Sequence, residues 1–426
     1  MRIHGLLAAG ILFLAACQQT TSNQAARPAT EAPPPAPAAA ATPAAKTAAP
    51  QVADALGPNL DANGNLLVDG KPFFPLGIYA VPTNAIPAAR DLGFNMVHTY
   101  SAEGQLKRRG SAKPIPWLLE FLGEAEAAGV KVAMGLPRYS VMHWNEKDLR
   151  DRVEALRHSP ALVAWYMFDE PDDPGHKIPY QRLADMARLV DEVDGTRPRA
   201  IVVSNLAVAL PRKDFDHAQI AMVDPYPYRT QNSDLYPVYK EITDARLATL
   251  GRKPLWPVLQ LHGKGQGGTG YGYLEPPYRV LRNMTYQAIA AGARGLFYFT
   301  YTGSQFHLTK SPTGLENVRR LLAELNPLTP LFLAPDPARA PARVVAAGGT
   351  VSRVFEHDGS AWVLVVNTGR KVVGFTVRGT SGKLPARVSL PLEDRVLETV
   401  DGALPDRLEP LAVRLYRFRL GAPPTS

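Results

Sequence analysis

Between Phe74 and Tyr301, short apolar runs alternate with segments whose apolar residues recur at three-to-four spacing, and this alternation restricts the fold more than any other feature. The runs Phe74–Tyr79, Asn95–Tyr100, Lys131–Leu136, Leu162–Phe168, Arg199–Ser204, Ile220–Asp224, Leu255–Leu261 and Gly295–Tyr301 read as strands. The segments Pro116–Ala128, Glu146–Arg157, Tyr180–Val193, Leu235–Leu250 and Tyr278–Ala291 read as helices. Strands joined through helices run parallel, because a parallel pair needs a long crossover. Eight such units match a closed (β/α)8 barrel, which typically takes about 250 residues. A doubly wound open sheet is the rival, but no glycine fingerprint for a dinucleotide follows the first run. The expected class is therefore α/β, a TIM barrel over residues 54–335.

Two features frame the barrel. Asn65–Phe74 reads as two short strands about the Asp69-Gly70 turn, a hairpin placed to plug the bottom. After a last helix at Leu315–Leu325, the proline-rich Ala334–Pro337 introduces alternating strands at Thr350–Glu356, Ala361–Asn367, Val372–Arg378, Ala386–Leu390 and Leu411–Leu420. These predict a small antiparallel β-sandwich over residues 336–426, with Trp362 and Tyr416 as its exposed aromatics.

The amino-terminal residues belong to neither domain. Met1–Cys17 has a short polar start, an apolar segment at Leu6–Leu14 and the ending Leu14-Ala15-Ala16-Cys17. It resembles a bacterial lipoprotein signal, which implies lipidation of Cys17 and, with Gln18 following, an outer-membrane address. Residues 18–53 are Ala- and Pro-rich with almost no large apolar side chain, as in a semi-extended tether. Cys17 is the chain's one cysteine, so no intrachain disulfide or cysteine metal cage is expected. The net charge of +8 comes from cations interspersed with acids, a pattern that argues against nucleic-acid binding. The nine histidines are scattered, so neither metal nor cofactor is expected.

Leu162–Phe168 is apolar at every position and ends abruptly in Asp169-Glu170-Pro171-Asp172-Asp173-Pro174. Barrel chemistry sits at the carboxyl ends of the strands, which is where Asp169 and Glu170 fall; a helix cap or solvated turn is the other reading. The remaining strand ends supply Tyr79, His98 with Tyr100, Arg138, Ser204 with Asn205, Asp224 with Tyr226 and Tyr228, Gln260 with His262, and Tyr298 with Tyr301. Hydrogen-bonding groups and flat aromatic faces suit a sugar, although any one of these residues alone reads equally well as a satisfied interior group.

The hairpin start, Trp165–Pro171, Arg282–Ala288 and Gly292–Tyr298 resemble the clan-A type of barrel glycoside hydrolase over about residues 60–335. The resemblance implies Glu170 as general acid/base and puts Asp169 where the clan carries a sugar-binding Asn. The strand-seven position of the clan's nucleophilic Glu holds Gln260. The second carboxylate is then Asp224, Asp169 itself, or Glu275 in the loop after strand seven. Glu170 and Asp224 are expected at the wider separation of about 6.5–9.5 Å that inversion uses, with the Glu170 pKa raised by Trp165 and Phe168. The glycine-rich stretch Gly263–Tyr273 reads as a lid offering Tyr271 and Tyr273, and His143 and Trp144 as the border of a subsite. Three functions fit: a lipid-anchored glycosidase, a catalytically silent carbohydrate-binding barrel of the envelope, or a structural lipoprotein.

Overall fold

The computed structural model describes residues 56–100, 114–176, 178–264, 272–346 and 348–420. Strands β1 (Leu66–Val68) and β2 (Lys71–Phe73) form the expected hairpin about Asp69-Gly70. Both turn residues have positive φ, which Gly70 adopts freely. Leu66, Val68 and Phe73 pack against the side chains inside the barrel and close its lower end.

Eight strands make that barrel: β3 (Leu76–Tyr79), β4 (Met96–His98), β5 (Lys131–Gly135), β6 (Leu162–Asp169), β7 (Arg199–Val203), β8 (Ile220–Val223), β9 (Val258–Gln260) and β10 (Leu296–Phe299). All pair in parallel, in the order β8-β7-β6-β5-β4-β3-β10-β9. A bridge between Ala221 and Leu255 joins the two edges, with Ala221 N donating to Pro254 O and Trp256 N to Ala221 O, each at 3.0 Å. That bridge nearly closes the barrel. Alternation along each strand sends one set of side chains inward, among them Tyr79, Tyr166 and Phe297, and the other set outward to the helices.

In β6 this alternation is interrupted. The pairing with β7 shifts between Tyr166 and Asp169, and Met167 and Phe168 both pack in the helix layer. One residue is thereby absorbed as a bulge, and Asp169 regains the inward face at the mouth. Short helices at Ile86–Asp91, Arg138–His143 and Leu206–Arg212 add to the long ones, each too brief to show a clear period in the sequence.

The carboxyl-terminal domain has two antiparallel sheets, one of three strands and one of five. Its strands are β11 (Ala342–Ala346), β12 (Thr350–His357), β13 (Ser360–Asn367), β14 (Val373–Gly379), β15 (Arg387–Leu390), β16 (Arg395–Glu398), β17 (Ala403–Leu408) and β18 (Val413–Arg419). Three of these, β11, β16 and β17, are additional to the predicted set. Trp362 and Tyr416 are buried, not exposed, because both stand on the central strands β13 and β18. The domain shares a core with helix Tyr278–Ala290. There Asn283 Nδ2 donates to the carbonyls of Asn367 and Leu411 at 2.9 and 3.0 Å, which explains why a helix with three buried polar residues is stable.

Candidate active site

At the carboxyl ends of the strands lies a cavity of about 430 Å³. Its floor holds Asp169, Glu170 and Asp224, and its walls are mostly rings: Tyr79, Tyr100, Tyr226, His262, Tyr273 and Phe299.

The three acids are held differently. Asp169 Oδ1 accepts a 2.6 Å bond from the Tyr166 hydroxyl, and Tyr100 bonds to the same carboxyl. Burial raises its pKa despite both bonds. Glu170 has φ of 48°, a left-handed conformation that costs a residue with a side chain about 1–2 kcal/mol. Its amide donates to Val202 O at 3.2 Å, and its carbonyl accepts from His176 Nδ1 at 2.6 Å, so both neighbouring segments fix the turn that aims its carboxyl. That carboxyl hydrogen-bonds to Asp224. Burial raises both members of the pair, and the Glu170 charge pushes Asp224 well above the usual carboxylate range. Two carboxyls in contact hold one proton between them.

This contact corrects the wide separation expected for Glu170 and Asp224. The cause of the raised Glu170 pKa also differs from expectation. Trp165 faces the helix layer, where its indole N–H donates to Asp194 at 2.8 Å, and Phe168 lies on the same outer side. Desolvation at the cavity floor does the work instead.

Several other expected site residues sit elsewhere. Gln260 is fully buried: its Oε1 accepts from Tyr228 N at 2.8 Å, while Nε2 donates to the carbonyls of Tyr228, Leu274 and His262. It ties two loops to β9 and does not reach the cavity. Tyr298 points to the helices, where its hydroxyl meets Thr285 Oγ1 at 3.0 Å. Its neighbour Phe299 takes the inward position, the opposite parity from the one read off the sequence. Asn205 is an exposed helix cap, Oδ1 accepting from Ala207 N at 3.1 Å. Glu275 bonds Ser311, the cap of helix Pro312–Leu325, and so is not a second acid of the site. Arg138 is exposed at the start of its helix, 5.9 Å from the Phe168 ring, and acts on Asp169 only through its charge.

His98 lies beneath the cavity, stacked on Tyr79 at 4.2 Å, with neither ring nitrogen bonded. Burial lowers its pKa to about 3, so it is neutral. His262 is likewise held neutral, at about 4, chiefly by burial, and its Nδ1 donates to Phe299 O at 3.1 Å. Tyr273 is fixed in the wall by Arg229, which stands 4.1 Å over its ring and bonds its hydroxyl at 2.7 Å. Tyr271 and Cys17 lie outside the described residues.

Three residues at the site were not anticipated. Buried Asp172 accepts from the amides of Ser204 and Asn205, the latter at 2.6 Å, and ties the loop after β6 to the end of β7. Glu170, Asp173 and His176 each place a donor atom within 4.8 Å of the others, close enough to share a cation. The scattered histidines did not suggest this, because the loop after β6 folds back on itself.

No protein-family model matches the chain, and no curated protein matches it in sequence. Solved structures do resemble it. A candidate alpha-galactosidase/melibiase from Bacteroides fragilis is 12% identical over 83% of this chain and 80% of its own, with a TM-score of 0.54. An alpha-amylase from Geobacillus thermoleovorans, solved with acarbose, is 9% identical over 80% of this chain and 92% of its own, with a TM-score of 0.52. An Anoxybacillus alpha-amylase is 10% identical, covers 80% and 90%, and also has a TM-score of 0.52. At these identities the likeness is one of architecture: the chain is a (β/α)8 barrel with a carboxyl-terminal β-sandwich, the fold of these glycosidases.

Proposed function

We propose that the protein is a glycoside hydrolase in which Glu170 delivers a proton to the leaving oxygen of a bound saccharide. The observation that carries this reading is the proton-sharing pair Glu170–Asp224 on the floor of an aromatic-walled cavity. A general acid must stay protonated near neutral pH, and a buried carboxyl pair does so. Glu170 is the more open member and reaches the substrate, and contact with Asp224 keeps the shared proton on the pair. Ring faces on the walls suit the C–H faces of sugars.

Glycosidases place two carboxyls about 5–5.5 Å apart for retention or 6.5–9.5 Å apart for inversion. The Glu170–Asp224 contact is closer than either, so it supplies the acid alone. Asp169, already oriented by two tyrosine hydroxyls, steadies the positive charge that develops on the sugar carbon until water adds to that carbon and gives its proton to the Glu170 carboxylate left by the first step.

A carbohydrate-binding barrel without turnover is the second reading. It is favoured by Gln260, an amide spent entirely on backbone groups where a nucleophile is expected. Release of reducing ends from a panel of polysaccharides, measured beside binding on the same panel, separates the two. Hydrolysis of any glycan supports the enzyme. Saturable binding with no cleavage at any pH supports the binder.

For location, we propose lipidation at Cys17 and a tether over residues 18–53 that holds the barrel at the outer membrane. The Leu14–Cys17 ending supports this, and no helix among the described residues is long and apolar enough to cross a membrane.

A further inference from the structure

At the opposite, amino-terminal end of the strands is a second cavity of about 590 Å³. Four cations line it, Arg246, Arg252, Lys253 and Arg294, with one acid, Asp336. Three guanidiniums converge on that acid: Arg246 at 2.8 Å, Arg353 from behind at 2.7 Å, and Arg294 at 4.0 Å. Asp336, with Asp61 acting on Arg294 through its charge, still leaves the three guanidiniums in excess. The strain shows in the titration of the group: Arg294 is drawn down to about 10 by burial and by its arginine neighbours, while Asp336 is held low despite being buried. Gly292 takes φ of 100°, a conformation that favours glycine, where the backbone passes beside the Arg246 guanidinium.

Excess positive charge beside an open cavity favours an anion, and Arg and Lys donors lining one cavity suit a compact group with many acceptor oxygens, although Lys253 Nζ and Arg294 Nη1 also donate to backbone carbonyls. We propose that this cavity binds a phosphate or phosphate ester. The phosphate could come from a soluble ester or from a lipid head group, and the test distinguishes them. The site is remote from the acid pair and does not depend on the proposed hydrolase activity.

The test titrates the purified full chain with inorganic phosphate by calorimetry at physiological salt. In parallel it sediments the chain with phosphatidylglycerol vesicles and with phosphatidylcholine vesicles. The expected result is saturable binding in at least one arm, weakened at least about ten-fold by Arg252→Ala/Lys253→Ala and unchanged by Arg378→Ala/Arg387→Ala on the sandwich. Arg252→Ala alone serves if the double variant unfolds. Binding of free phosphate points to a soluble ester, and binding only to phosphatidylglycerol points to a head group. No binding in either arm, or equal loss in the sandwich variant, overturns the site.

Discussion

The carboxyl of Glu170 hydrogen-bonds directly to that of Asp224, across the ends of β6 and β8. One proton serves both, and removing either partner changes the other. Glu170→Gln should keep the fold and lower kcat by about 10²–10⁴-fold, the usual worth of a positioned acid. Circular dichroism and turnover on the identified glycan check this; full turnover would remove Glu170 from the mechanism.

The same pair makes stability depend on pH. The folded-state pKa of Asp224 is raised by burial and by Glu170 above the unfolded value of about 3.9. Between those two values the folded chain holds a proton that the unfolded chain has lost. Stability therefore falls as pH rises through that window, and the penalty persists above it. Asp224→Asn removes the penalty, so its Tm at pH 8 should exceed that of the wild type, by about 1 °C for each kcal/mol relieved in a chain this size. The difference should shrink toward pH 4. A gap that is constant with pH would contradict the assignment.

Gln260→Glu is the substitution that restores the residue the sequence resemblance expects. It should not create a nucleophile, because the side chain points into backbone groups rather than the cavity. It removes the donors to three carbonyls and places a charge in a fully buried site, which costs about 1–3 kcal/mol or more. Thermal unfolding with an activity assay decides this: a stable variant with raised turnover would mean that position 260 faces the substrate.

Strand β10 offers a test of facing. Phe299→Ala should raise KM several-fold, since the ring forms part of the cavity wall. Tyr298→Phe should leave kcat/KM within about two-fold and cost about 1 kcal/mol through the lost Thr285 bond. The reverse ranking would invert the parity assigned to β10.

How much of this was legible in the sequence follows from what each signal depends on. Apolar runs alternating with helical periods gave the barrel, because buried parallel strands must be apolar throughout. That same uniformity hides which residues face in: nothing in Leu296–Phe299 distinguishes Tyr298 from Phe299, and nothing in Leu162–Phe168 announces the bulge that turns Asp169 inward. Asp169, Glu170 and Asp224 could be picked out because acids directly following apolar strands are conspicuous. Their mutual distance could not, since it depends on strand stagger and on the left-handed turn at Glu170. Gln260 and Asn205 misled for a common reason: an amide at a strand end serves a loop's backbone as readily as a ligand.

The proposed hydrolysis depends on proton delivery by Glu170, and leaving-group dependence tests that most directly. Once the sugar is known, kcat/KM should be measured for wild type and Glu170→Gln on glycosides whose leaving groups range from an acidic phenol to a second sugar. A phenolate with a pKa of about 4 needs no proton to depart, so the variant should match the wild type on it within about ten-fold, while losing about 10²-fold or more on the sugar. An equal loss on every leaving group, or none on any, would contradict the account.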